Sequence, residues 1–123
     1  MTHNPVNWFE IYVKDMNRAK AFYEAVLQVD MVNLNNPAVK MWSFPSSPGA
    51  IGTSGALVEY AAMTSGESST IVYFYCKDCA EEAARVASAG GQVEREKMSI
   101  GQYGFVVLAR DTEGNRFGLH SPS

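Results

Sequence analysis

A few side chains in this 123-residue sequence combine a chemically useful type with an informative position. Two carboxylates, Glu10 and Glu59, lie in strand-like segments, and His120 ends the last such segment. Burial beside aromatic rings raises the pKa of a carboxylate toward the range useful for proton transfer. Glu10 and Glu59 are therefore candidates for an acid/base pair, or for binding a cation or Arg116. Together with His120 they are the candidate catalytic residues.

The stretch Cys76-Lys77-Asp78-Cys79 is a second candidate, as a redox or zinc-binding pair. Its position between a strand-like and a helix-like segment suits a thiol of low pKa at a helix N-terminus. Cys76, however, falls on the side of its strand that should pack under the helix, and no second Cys/His pair completes a zinc site. The pattern favours a buried structural cysteine beside a first-turn cysteine. No nucleophile elbow, phosphate-binding loop or dinucleotide fingerprint occurs.

The elements that would position these residues occur twice. Residues 8–15 (Trp-Phe-Glu-Ile-Tyr-Val-Lys-Asp) align with residues 71–78 (Ile-Val-Tyr-Phe-Tyr-Cys-Lys-Asp), 63 positions later. Apolar residues at helical spacing follow each segment. Asp15 and Asp78 are natural N-caps, because a short carboxylate accepts hydrogen bonds from the free amides of the first turn. Gly90 suits the left-handed position that follows a helix.

Three short strands are predicted after each helix, so the layout is βαβββ twice. They lie near residues 31–34, 40–44 and 56–60 in the first half, and near 92–98, 105–109 and 116–120 in the second. The predicted fold class is α+β. We expect a single domain, 1–123, made of module one (about 5–63), a linker (about 64–69) and module two (about 70–123). Residues 45–55, rich in Ser, Gly and Pro, are predicted to form a mobile loop.

Side-chain alternation divides each predicted strand into two faces. On the first strand Phe9, Ile11 and Val13 are purely apolar and should pack under the helix, whereas the other face is aromatic and acidic. Large aromatic residues are costly on an exposed surface, which favours a cleft where the mixed faces converge. The predicted ligand-binding residues are Trp8, Glu10, Tyr12, Leu57, Glu59, Tyr73, Tyr75, Arg116 and His120.

Composition excludes several classes of protein. With 10 Lys and Arg against 13 Asp and Glu, a net charge of −3, the chain lacks the basic face that nucleic acid requires. No apolar run approaches the roughly 20 residues of a membrane-spanning helix. The first residues lack the basic and apolar regions of a secretory signal. We therefore expect a cytoplasmic protein with reduced cysteines and with neither a nucleic acid nor a membrane as partner.

Two stretches carry a resemblance to a known family. They are residues 8–15 followed by Ala19-Lys20-Ala21-Phe22-Tyr23-Glu24, and the closing Asp111-Thr112-Glu113-Gly114-Asn115-Arg116-Phe117-Gly118-Leu119-His120. With these motifs the chain resembles the vicinal oxygen chelate superfamily (glyoxalase, bleomycin-resistance protein and dioxygenase) over nearly its full length, as a glyoxalase-like member. The resemblance implies two βαβββ modules whose mixed sheet forms a cup. It also implies a homodimer in which a second chain covers the sheet edges.

In the metalloenzymes of this superfamily four positions hold a divalent cation that chelates adjacent substrate oxygens. The resemblance places these positions at Trp8, Glu59, Ile71 and Gly118, of which only Glu59 has a side chain that can coordinate. The arginine that holds substrate in glutathione-dependent members corresponds to Tyr12. The departure resembles that of metal-free members such as the antibiotic-sequestering proteins.

These departures predict a binding protein that has no metal and no cofactor. The predicted ligand is a small organic molecule, aromatic or cationic, held in the aromatic cleft. The alternative is a lyase, isomerase or dioxygenase that uses carboxylate chemistry or a metal site relocated to His120, Glu59 and Glu10. A third interpretation is a dimer that binds a partner and whose cleft is vestigial. The sequence leaves open whether the protein is catalytic.

Overall fold

The computed structural model describes residues 2–63 and 65–123. Its two helices are α1 (Met16–Leu27) and α2 (Cys79–Val86). The strands are β1 (Trp8–Tyr12), β2 (Val32–Asn33), β3 (Lys40–Ser43), β4 (Ser54–Glu59), β5 (Val72–Tyr75), β6 (Gln92–Ser99), β7 (Phe105–Arg110) and β8 (Arg116–Ser121). A 3₁₀ turn, Gly101–Tyr103, joins β6 to β7. The predicted linker begins at Thr64, which lies outside the described residues.

The strands form two sheets of identical topology. Sheet 1 has the order β1-β4-β3-β2 and sheet 2 the order β5-β8-β7-β6. In each sheet the first strand pairs in parallel with the last, and the remaining neighbours are antiparallel. The α+β fold class and the repeated βαβββ unit predicted from the sequence are therefore confirmed.

Both helices begin where the sequence predicts. The Asp15 carboxylate accepts the backbone N–H of Arg18 at 3.0 Å, and the Asp78 carboxylate accepts that of Ala80 at 3.0 Å. Each aspartate has an extended backbone, as an N-cap requires. Gly90 has φ of +104°, a conformation that costs glycine little because it has no Cβ. The two aspartate caps set the residues at which α1 and α2 begin.

One buried cluster of apolar side chains joins the two modules. Tyr23 of α1 lies at its centre and is fully buried. Its ring centroid lies 5.6 Å from that of Phe44, 5.8 Å from Phe74 and 5.6 Å from Phe117. Because Phe74 and Phe117 belong to sheet 2, the helix of module one packs against the sheet of module two.

The turn between β7 and β8 stabilises the packing of α1 on sheet 2 through hydrogen bonds to module one. The carboxylate of Asp111 accepts the Tyr23 hydroxyl at 2.7 Å, and Asn115 Nδ2 donates to the backbone carbonyl of Tyr12 at 3.0 Å. Burial raises the pKa of Asp111. The side chain of Glu113, in the same turn, lies at the N-terminus of α1. Residues 111–115, part of the closing motif that carries the family resemblance, thus form hydrogen bonds that join the two modules.

Among the described residues no helix has the length and apolar character needed to cross a membrane.

Candidate functional site

The face of sheet 1 that turns away from the helices carries three of the predicted residues. Glu10 accepts a hydrogen bond from Trp8 Nε1 at 3.0 Å and another from the Tyr12 hydroxyl at 2.6 Å. The bond from Tyr12 to this carboxylate raises the pKa of the phenol. Alternation in β1 places all three side chains on one side, with Phe9 and Ile11 on the other. The result is an exposed carboxylate held between two aromatic rings.

The corresponding face of sheet 2 carries Tyr73, Tyr75 and His120. Tyr73 is 49% exposed and Tyr75 is 53% exposed. The three residues line a cavity of about 430 Å³, together with Met98, Ile100, Val106 and Leu108. His120 Nε2 lies 2.7 Å from the carbonyl oxygen of Tyr103 in the 3₁₀ turn, which fixes the imidazole at the cavity wall.

Four apolar residues of this cavity were missed by the sequence reasoning. Val106 and Leu108 lie on the same face of sheet 2 as His120 and Gly118, their register partners in β8. Residues 105–109 of β7 are all apolar, so alternation does not show which of them face the cavity. Met98 and Ile100 sit beyond shifts in the register of β6, so alternation alone does not place them.

Arg116 lies at the other end of β8 and forms an ion pair with Glu94. Its Nε donates to Glu94 at 2.7 Å, and Arg110 Nε donates to the same carboxylate at 3.0 Å. These two bonds lower the pKa of Glu94. Arg116 also lines a crevice of about 280 Å³ at the junction of the modules, together with Glu10 and Tyr12. Within one chain, therefore, Glu10, Tyr12 and Arg116 share no cavity with Tyr73, Tyr75 and His120.

The predicted face of β4 is wrong. Leu57 pairs with Ile11 of β1, is fully buried and belongs to the core. Glu59 is two positions further along the same strand and faces α1, where it accepts the backbone N–H of Met16 at 2.7 Å. Glu10 pairs with Ala56 and lies on the opposite face. Glu10 and Glu59 are therefore separated by the sheet and form no acid/base pair.

The repeat explains the role of Glu59. Val58 pairs with Tyr12 in module one, and His120 pairs with Tyr75 in module two. The residue that follows each of them caps the helix of its own module: Ser121 Oγ accepts the backbone N–H of Cys79 at 3.0 Å. Glu59 is thus the counterpart of Ser121, a residue that satisfies a free amide at the start of a helix.

Replacing Glu59 by alanine should lower stability and leave intact the open faces, which are the sides of the two sheets that turn away from the helices. We expect the free energy of unfolding to fall by about 1 kcal/mol, because the first turn of α1 loses an acceptor. Denaturant unfolding measures the change, and Ser121→Ala is the matched variant in module two. Unchanged stability, or a loss of ligand binding by folded Glu59→Ala, would contradict this role.

The cysteines lie where the sequence predicts. Cys76 and Cys79 are buried and unpaired with each other. Burial, and then the nearby charge of Glu82, raises the pKa of Cys76 to about 12. This thiol stays protonated at neutral pH, so it has neither the nucleophilic nor the metal-binding form.

A family model matches residues 6–119: the Glyoxalase/Bleomycin resistance protein/Dioxygenase superfamily. The chain belongs to this superfamily. None of the curated proteins matches the chain.

Solved structures of similar proteins agree with this assignment. The antibiotic-binding protein TnmS3 from Streptomyces sp. CB03234 is 25% identical, with a TM-score of 0.73, over 100% of this chain and 99% of that one. The hypothetical protein SA1046 from S. aureus is 17% identical, with a TM-score of 0.74, over 97% and 95%. The fosfomycin resistance protein FosX from Listeria monocytogenes is 17% identical, with a TM-score of 0.69, over 100% and 94%.

The four positions that hold a metal in enzymes of the superfamily do not fit one here. The strand registers make Ala56, and not Glu59, the counterpart of Gly118 in module one. None of the four positions therefore has a side chain that could coordinate a metal ion. A side chain at Gly118 would also displace Tyr73, since a Cβ there would lie 2.3 Å from the Tyr73 ring.

A relocated site does not fit within one chain either. Glu59 and His120 face different sides of different sheets, and Glu10 and His120 line different cavities. In the part of the chain that the structure describes, no three His, Cys, Asp or Glu side chains are grouped so that they could hold a metal ion.

Proposed function

We propose that this superfamily member binds a small organic molecule, aromatic or cationic, on the open faces of its sheets and without the usual metal centre. The observation that carries the proposal is the pair Tyr73 and Tyr75. Both residues are about half exposed at the wall of a cavity of about 430 Å³, whose other lining residues are four apolar ones and His120, and whose volume is in the range of small-molecule sites. Tyrosines in such a position offer ring faces for stacking and hydroxyls for hydrogen bonding.

Sheet 1 supplies the negative charge. Among the described residues no Lys or Arg nitrogen lies within 4.0 Å of the Glu10 carboxylate. Glu10 is instead held by two neutral donors on aromatic side chains. A carboxylate flanked by aromatic rings attracts an organic cation through both its charge and the ring faces.

A homodimer would bring the two groups together. Within one chain Trp8, Glu10 and Tyr12 do not share a cavity with Tyr73 and Tyr75. A second copy could place its sheet 1 over sheet 2 of the first, so that one ligand meets both sets of aromatic residues. We propose such a dimer in the cytoplasm, with a small molecule as its partner. The likeness to an antibiotic-binding protein supports a binding role.

The test compares two equally exposed tyrosines. A library of aromatic and cationic compounds is screened for a rise in melting temperature, and binding of the hits is then measured by titration calorimetry. Tyr75→Ser should weaken binding about tenfold or more, because stacking on an aromatic ring is lost. Tyr60→Ser is the control, since Tyr60 is 48% exposed and lines none of the cavities described here. Equal losses in both variants would refute the proposal.

A lyase, isomerase or dioxygenase is the second candidate. The 2.6 Å hydrogen bond between Tyr12 and Glu10 favours it, because a phenol and a carboxylate in contact can pass a proton. Glu10→Gln should then abolish turnover of a bound ligand while folding is retained. If the protein binds its ligands and leaves them chemically unchanged, this alternative is removed.

A further inference from the structure

A third cavity, of about 340 Å³, lies between the modules; Tyr73 and Tyr75 also line it, but most of its lining residues lie outside the open faces. Its floor is formed by three packed phenylalanines from both modules. The ring centroid of Phe44 lies 5.6 Å from that of Phe9 and 5.3 Å from that of Phe74. Phe9 is held flat over β4, because its ring occupies the space that a side chain at Gly55 would fill.

The loop between β3 and β4 forms one wall of this cavity. Ile51, in this loop, is 78% exposed beside the phenylalanine floor. Gly52, the next residue, has φ of +92°, a conformation that a larger side chain would resist. The loop thus holds an apolar side chain at the cavity rim.

Glu82 of α2 forms the opposite wall and contains an unsatisfied oxygen. Its Oε1 is buried and accepts no hydrogen bond from the described residues. Its other oxygen lies 3.8 Å from Arg85 Nη2, while Arg85 Nε donates to the carbonyl of Val26. A buried carboxylate oxygen without a donor is costly, and such groups commonly mark the site of a missing partner.

The nearest thiol, Cys76, competes as a donor, since its pKa is raised by burial and then by its interaction with the Glu82 carboxylate. Cys76 Sγ donates to the carbonyl oxygen of Phe74 at 3.6 Å. A thiol has one hydrogen, which these two acceptors share, and it is a weak donor, so an ammonium group would satisfy Glu82 Oε1 better. The cavity therefore combines aromatic walls with a single acceptor that carries negative charge.

We propose that this cavity is a second binding site, specific for an arylalkylamine whose ammonium group donates to Glu82 and whose ring packs on Phe9 and Phe74. An ammonium donor forms a charge-assisted bond with a carboxylate, about twice as strong as a neutral one. The aromatic walls accept the ring of the ligand edge-on or stacked. Tyr73 and Tyr75 line both this cavity and the cavity of the open face, whereas Glu82, Phe9 and Phe74 line this one alone.

Phenethylamine is the probe, compared with its neutral analogue 2-phenylethanol and the anion 3-phenylpropionate. Amide signals in ¹H–¹⁵N NMR spectra locate the bound molecule: Gly52, Thr53 and Ala83 report on this cavity, and Val106 and Leu108 on the open face. Phenethylamine should shift the first group saturably and bind most tightly of the three compounds. Glu82→Gln should weaken it about tenfold or more, whereas Glu81→Gln, on the exposed side of α2, should not.

Several results would overturn the proposal. Shifts confined to Val106 and Leu108 would place the amine on the open face, which supports the proposed function and removes this site. Equal affinity for the alcohol, unaffected by Glu82→Gln, would mean that water satisfies Oε1. Absence of saturation, together with a dimer that Ile51→Glu dissociates, would assign the cavity to a second copy of the chain.

Discussion

Glu113→Ala should destabilise the protein by about 3 kcal/mol, because two backbone amides at the start of α1 and the half-exposed Arg18 lose a charged acceptor. The carboxylate is fully buried and accepts five hydrogen bonds. Two come from Arg18, at 2.6 and 3.0 Å, and two from the backbone amides of Lys14 and Asp15 at the start of α1. The fifth comes from the Thr112 hydroxyl. Denaturant unfolding at neutral pH measures the loss.

The same carboxylate gives the stability a defined dependence on pH. Burial alone would raise the pKa of Glu113, but Arg18, Thr112 and the two amides outweigh it and lower the pKa from 4.5 to about 2. A carboxyl group whose pKa is depressed on folding stabilises the protein above its unfolded pKa and loses that contribution as the pH falls. The difference between wild type and Glu113→Gln should therefore shrink between pH 4.5 and about 2.

Asp111 acts in the opposite direction, because burial raises its pKa and its stabilising contribution is lost as the pH rises. Comparing wild type with Glu113→Gln cancels this effect, since Asp111 is present in both. A difference that stays constant across the acid range would show that Glu113 is not the group responsible.

Phe117→Ala should cost about 3–5 kcal/mol, the usual loss for a buried phenylalanine. Phe117 is 1% exposed, and its ring lies 5.8 Å from Phe22, 5.6 Å from Tyr23 and 6.0 Å from Phe74. Truncation leaves a cavity at the point where α1 meets sheet 2. The midpoint of denaturant unfolding reports the change.

Phe117→Leu is the matched control and should lose much less, because it retains most of the apolar volume. Arg116, the preceding residue, lies on the other face of β8, and its truncation should cost less than 1 kcal/mol, because it removes only a surface ion pair. Similar losses for Phe117→Ala and Arg116→Ala would contradict the assignment of the faces of β8.

The fold was predictable because its signals are local and occur twice. Asp15 and Asp78 mark both helix starts, and the segments before them mark β1 and β5. The open faces of β1, β5 and β8 were predictable for the same reason, since polar or aromatic residues alternate there with apolar ones.

The face of β4 was not predictable from alternation. Gly55, Ala56, Leu57 and Val58 are consecutive small or apolar residues, and the last three are buried. In a strand buried on both faces, apolar and polar residues do not alternate, so the sequence does not show which side chains face the helix. In β4 this is decided by its pairing with β1. Alternation places Leu57 and Glu59 on one face, as the structure does, but it does not show that this face packs under α1. The Glu82 cavity was also invisible, because it depends on how a helix of one module meets a loop of the other.

The proposed function requires that a small organic molecule bind the open face of sheet 2, and NMR spectra detect such binding at individual amides. ¹⁵N-labelled protein is titrated with the compounds that raise its melting temperature. We expect saturable shifts of the amides of Val106, Leu108 and Gly118 that are lost in Tyr75→Ser and retained in Tyr60→Ser. Stabilising compounds that leave these three amides unshifted would contradict the proposed function.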